Sequence, residues 1–134
     1  MYTLRHFLMG SLIVATLGCA DSGPARYPVE GTVSFRGTPL ESGAIQFEPV
    51  TGHGQSGGAP IINGNFQVPA EKGLLAGQYH VRIYSGTTGV APSEPPGPGV
   101  PIAAEHIPPR YNTQSTLNAE VGPHRNNKLE FILD

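Results

Sequence analysis

Tryptophan is absent from this 134-residue chain, cysteine occurs once, and charged residues make up only 13% of it. Each scarcity closes off a class of protein. One cysteine excludes an internal disulfide framework and leaves no second thiol for a zinc ribbon. Eight Lys and Arg against ten Asp and Glu leave a formal charge of −2, without a run of either sign. There is no basic stripe for nucleic acid and no polybasic patch for a membrane. No apolar run reaches the roughly 20 residues that a spanning helix needs. Hydrophobic content is a low 38%, whereas Gly and Pro number 18 and 14. These two residues are the poorest in a helix interior, so the composition suits short strands joined by many turns. The length allows one domain.

The first residues carry an address. Arg5 and His6 precede an uncharged apolar stretch over residues 7–17. As a helix these eleven residues rise about 17 Å, well short of a bilayer core of about 30 Å. A positive start, a short apolar run and small residues at its end predict a secretory signal peptide over residues 1–18. Polar turn residues follow at once, which argues against a buried helix.

The lone Cys19 closes that segment in Thr16-Leu17-Gly18-Cys19. This resembles the lipobox of bacterial lipoproteins, where a diacylglyceryl group is attached to the cysteine before cleavage. Leu17 and Gly18 fit the family pattern; Thr16 stands where that pattern prefers Leu. The resemblance implies a membrane anchor of acyl (palmitate) chains on Cys19, and two chains hold a protein stably where one does not. The domain is then extracytoplasmic, on the outer membrane or the periplasmic face of the envelope, with Ala20 after the cysteine pointing outward. The alternative is ordinary cleavage after Ala20, since Gly18 and Ala20 are both small, which gives a soluble secreted or periplasmic protein. Residues 19–26, polar and proline-bearing, read as a tether.

From Tyr27 the pattern has period two, the mark of strands with one buried face. Val29, Gly31, Val33 and Phe35 alternate in "VEGTVSF", Ile45 and Phe47 in "AIQFEP", Phe66 and Val68 in "GNFQVP". Tyr79, Val81 and Ile83 alternate with His80, Arg82 and Tyr84. Leu117, Ala119 and Val121, then Leu129, Phe131 and Leu133, repeat the pattern. A further run, "APIINGN", meets Phe66 through Asn63-Gly64, a pair suited to a tight hairpin. Turns are expected at Arg36-Gly37 and Ser42-Gly43, and one helical turn near residues 70–75. Residues 27–134 are thus expected to be an all-β, small antiparallel two-sheet sandwich of six or seven strands.

Two segments depart from the alternation. Residues 86–101, "GTTGVAPSEPPGPGVP", are more than half Gly or Pro and read as a solvated loop. Residues 105–117, "EHIPPRYNTQSTL", are dense in specific side chains. One reading is a folded-back loop in which Ile107 and Tyr111 insert at the sandwich edge, Asn112 and Ser115 bond nearby backbone, and Thr116 starts the next strand. The other makes His106, Arg110 and Tyr111, with Tyr84, a binding surface.

"VEGTVSFRGTPLESGAIQFEP" and "LLAGQYHVRI" resemble the carboxypeptidase regulatory-like domains, which are transthyretin-like sandwiches. The matched positions are Gly31, Val33, Gly37, Pro39 and Leu40, then Leu74, Gly77, Tyr79 and Val81. "IPPRYN" with "STL" and "NNKLEFIL" is similar to a family of small bacterial lipoproteins of unassigned activity, through Ile107, Pro108, Tyr111, Asn112, Ser115, Thr116 and Leu117. The resemblance implies an appended module without catalytic residues of its own.

No motif for chemistry stands against this. His53, His80, His106 and His124 are isolated, with no His-x-His pair and no zinc-protease helix. Phosphate loops, dinucleotide fingerprints and a serine elbow are absent. A transthyretin-type hydrolase would need His80 or His106 to meet Arg82 or Arg110 in one cleft, and its terminal Tyr-Arg-Gly-Ser is replaced by "FILD". A carbohydrate-binding module would need exposed aromatics, for which only Tyr84 and Tyr111 are suited. The expectation is a lipid-anchored binding or structural module at the bacterial envelope, without catalysis or cofactor. Its partners are the membrane through Cys19 and an envelope protein or polysaccharide, not nucleic acid.

Overall fold

The computed structural model describes residues 23–52, 54–86, 105–124 and 126–134. The expected signal peptide, Cys19 and all but Gly86 of the expected 86–101 loop lie outside the described residues.

The alternating stretches form strands β1 (Val29–Phe35), β2 (Thr38–Pro39), β3 (Ser42–Pro49), β4 (Gly57–Ile62), β5 (Asn65–Val68), β6 (Gly77–Ser85), β7 (Leu117–Val121) and β8 (Asn127–Leu133). The described residues hold no α-helix, and the helical turn expected near 70–75 is a 3-10 turn at Ala70–Lys72. Both central residues are left-handed in two tight hairpins: Arg36 and Gly37 at φ 51° and 76°, Asn63 and Gly64 at 50° and 77°. Such turns match the right-handed twist of the strands they join. The first of them returns the chain along β1 for two residues, which adds β2 to the six or seven strands expected. Ser42-Gly43, expected as a turn, instead opens β3.

All pairings are antiparallel except one. β8 runs parallel to β1 along its whole length, from Val29↔Asn127 to Phe35↔Leu133. A strand has two edges, so β5 and then β2 share the other edge of β1 (Val29↔Val68, Ser34↔Pro39). Pairing continues through β4, β3 and β6 to β7. Pairing therefore links the strands into one continuous sheet, curled into a half-barrel. Accumulated strand twist lets one face of a long sheet wrap toward itself. β7 and β8 are its two edges and do not pair with each other, although only residues 122–126 separate them.

The wrapped face is the core. Val29, Val33, Ile45, Phe47, Ile61, Val68, Val81, Ile83, Val121 and Leu133 are all at most 1% exposed. Phe66 of β5 links Phe47 of β3 to Phe131 of β8, with ring centroids 6.1 and 6.3 Å apart. Tyr79 is the polar member of this core: its hydroxyl donates to the Leu75 carbonyl at 2.9 Å. Burial raises its pKa above the ordinary tyrosine value of 10.0.

The register also sorts the connections. Val29 lies level with Val68 and Asn127, Gly77 with Val121, and Pro49 with Tyr79. Connections 50–56, 69–76 and 122–126 thus share the end where the chain enters. Residues 36–41, 63–64, Gly86 and 105–116 share the opposite end.

Candidate functional site

The dense segment, residues 105–117, is a strap over the end of β6. The Glu105 carboxylate accepts from the Ser85 amide at 3.0 Å, the Ser85 hydroxyl at 2.6 Å and the Ile107 amide at 2.9 Å. Ser85 Oγ in turn accepts from the His106 amide at 2.7 Å. Residues 105–107 are thus stitched to Ser85, the last residue of β6. Ile107 then enters the core at 2% exposure.

Asn112 is the buried organiser of the strap. Its Nδ2 donates to the Ile107 carbonyl and its Oδ1 accepts from the Thr113 amide at 2.6 Å. The Ser115 hydroxyl donates to the Val81 carbonyl and accepts from the Leu117 amide, handing the chain to β7, which begins one residue after Thr116. The bonds of Asn112 and the Ser115–Leu117 bond are with nearby backbone, as expected, whereas the Ser115–Val81 bond ties the strap to β6 across 34 residues of sequence.

Arg110 and Tyr111 do come together, but as a clamp on the last residue. The Asp134 amide donates to the Tyr111 hydroxyl at 3.1 Å, and Arg110 Nη2 donates to the Asp134 carbonyl at 2.7 Å. The Arg110 guanidinium lies over the Tyr111 ring, 4.9 Å from its centroid. Tyr84 is elsewhere, on the outer face of β6 opposite Ala44. Among the described residues no hydrogen bond joins it to His106, Arg110 or Tyr111. Arg82 pairs with Glu48 at 3.1 Å on that same outer face, and His80 stands opposite Glu48 in the ladder. Arg82 and Arg110 are thus committed to different carboxylate and carbonyl partners. No group of three His, Cys, Asp or Glu side chains gathers among the described residues.

The open concavity is one that alternation alone does not reveal. A groove of about 820 Å³ lies on the outer face of β8, β1, β5 and β4. Register builds it in rows. Lys128, Glu30 and Gln67 stand side by side, and Glu130, Thr32, Asn65 and Ile62 form the next row. Lys128 Nζ lies 3.5 Å from Glu30 Oε1, a solvent-exposed pair that contributes little to stability. Ile62, 63% exposed, and Pro60 form an apolar ledge.

Pro60 also explains why the groove opens. Ile62 and Pro60 point their backbone nitrogens to the same edge, toward β5. Proline has no N–H, so β4–β5 pairing stops at Ile61↔Phe66 and the strands part. In the sequence these polar residues read only as the solvated halves of separate strands. It takes the pairing, above all the parallel β1–β8 match, to assemble them.

Comparison of the chain with known protein families, with curated proteins and with solved structures finds no match.

Proposed function

We propose that this chain is a lipid-anchored, extracytoplasmic β-domain acting as a non-catalytic contact module at a bacterial envelope, with the β8-β1-β5-β4 groove as its ligand surface. The observation that carries the reading is a division between two surfaces. Arg110, Tyr111, Asn112 and Ser115 of the strap are engaged by the fold, whereas Gln67, Thr32 and Glu130 line a groove that remains open. The groove lining holds no exposed aromatic of the kind expected of a carbohydrate module; its amide, hydroxyl and carboxylate groups beside the Ile62–Pro60 ledge instead match the edges and faces of a polyhydroxylated chain, and the ligand class is envelope polysaccharide. The anchor is the acylated Cys19 of the Thr16–Cys19 segment.

The two-layer architecture belongs to the same proposal. Where Pro60 ends the β4–β5 ladder, β8-β1-β5 and β4-β3-β6-β7 become two layers over one core, as in a transthyretin-like sandwich. Phe66 contacts across both layers support that division.

Co-sedimentation of the detergent-purified protein with insoluble envelope polysaccharide tests the ligand surface. The double variant Gln67→Ala/Glu130→Ala is expected to bind about thirtyfold more weakly, for two hydrogen bonds each contributing ~1 kcal/mol. Arg110→Ala is expected to bind as wild type, and the reverse pattern would move the site to the strap. For the anchor, fatty-acid label is expected to enter the wild type and not Cys19→Ser, which leaves the membrane fraction. Label that persists in Cys19→Ser would end the lipid reading.

A further inference from the structure

The tether's length and its fixed exit from the domain have a consequence for how the domain stands on a membrane. We infer that the entry end of the half-barrel rests on the bilayer surface, through connections 50–56, 69–76 and 122–126, and that the strap and the C-terminus point away from it. The inference builds on the Cys19 anchor proposed above.

Its first support is where the chain enters. Arg26 Nη1 donates to the Gly73 carbonyl at 3.2 Å and Nη2 to Gln55 Oε1 at 2.8 Å. Tyr27 then exchanges both backbone hydrogen bonds with Leu74, at 2.8 and 3.0 Å. The tether therefore leaves the domain between two of the entry-end connections and is fixed there.

Its second support is length. Six residues lie between Cys19 and Arg26, which makes seven steps of at most about 3.6 Å each in an extended chain, so Cys19 lies within about 25 Å of that pinned point. β6 has nine residues, which at about 3.3 Å each give a wall of roughly 30 Å. The tether is too short to run back along the wall and set the opposite end on the lipid. The surface left facing the bilayer carries Val50, 43% exposed, and Lys72 in the last turn of Ala70–Lys72. An exposed apolar tip suits contact at the headgroup level, and Glu71 beside Lys72 leaves the Ala70–Lys72 turn without net charge.

Cys19 is the only cysteine, and acylation consumes its thiol, so any introduced cysteine is the unique site for a maleimide fluorophore. Lys72→Cys marks the entry end and Glu41→Cys the opposite end; both side chains are exposed. The full-length lipidated variants are reconstituted in phospholipid vesicles that carry a nitroxide quencher on the headgroup, and flotation is measured before fluorescence. Several-fold stronger quenching at position 72 than at position 41 is the expected result. Protein that floats but shows equal or reversed quenching overturns the orientation and leaves the anchor standing. Protein that fails to float removes the anchor, and the orientation with it.

Discussion

Gly31→Ala is expected to destabilise the domain by about 3 kcal/mol, the upper part of the range for overpacking a closed site. Gly31 sits mid-strand in β1, between Phe66 of β5 and Leu129 of β8. A Cβ there would fall inside contact distance of the Leu129 carbonyl oxygen and 2.8 Å from Phe66 Cζ. Neither neighbour yields cheaply. The Leu129 carbonyl belongs to the parallel ladder that attaches β8, and the Phe66 ring is held between Phe47 and Phe131. For a domain of this size the loss corresponds to a fall in Tm of roughly 15 °C. Thermal and urea unfolding measure it, with Gly37→Ala as the comparison. Gly37 has φ 76° and nothing within 4 Å of its built Cβ, so alanine there costs only backbone strain, about 1 kcal/mol. Equal losses at 31 and 37 would mean that β8 does not press on β1 as described.

That parallel contact also marks where sequence reasoning stopped. Strand positions were legible because every strand except the exposed β2 buries one face: Val29 and Val33, Phe66 and Val68, and Tyr79, Val81 and Ile83 all point inward. The Asn63-Gly64 hairpin was legible because its conformation is local. So was the strap, since Ile107 is apolar among polar neighbours and Asn112 is a turn former. The choice of partners was not. β7 and β8 are consecutive and five residues apart, yet each joins the opposite edge of the sheet, and nothing in their alternation encodes that. The parallel β1–β8 match, absent from an antiparallel expectation, is likewise a long-range decision.

The candidate site inherited the same limit. His106, Arg110, Tyr111 and Tyr84 drew notice as functional groups in an unusual stretch or on an exposed strand face. The structure sends Arg110 and Tyr111 to Asp134 and leaves Tyr84 on a different strand. The groove residues looked ordinary one at a time. Pro60, which ends the β4–β5 ladder, was the one local signal of an opening there, because proline inside a strand requires an interrupted edge.

Asn127 carries the second large effect, and it follows from the unpaired β7 and β8 edges. With no ladder between them, the 122–126 connection needs another hold, and one buried amide supplies it. Asn127 is 8% exposed. Its Oδ1 accepts from the Gly122 amide at 2.9 Å, and its Nδ2 hydrogens are shared among the carbonyls of His124 at 3.0 Å, Gly122 at 3.2 Å and Pro28 at 3.2 Å. The Pro28 contact joins the turn to the start of β1. Asn127→Ala strands the Gly122 amide and up to three carbonyls, each worth ~1–3 kcal/mol if no water replaces the partner. Water reaches part of this rim, so the expected loss is about 3 kcal/mol in urea unfolding, with the m-value unchanged. Asn127→Asp separates donor from acceptor: it keeps Oδ1 for Gly122 but sets a carboxylate against three carbonyl oxygens. It is expected to be no better than alanine at neutral pH and to recover as the carboxyl protonates in acid. A loss below about 1 kcal/mol for both variants would show that the turn holds without the amide. Because β8 carries Lys128 and Glu130 immediately beyond Asn127, loosening this anchor also frees one wall of the groove. On the proposed reading of the groove, Asn127→Ala should therefore weaken polysaccharide retention at temperatures where the domain is still folded.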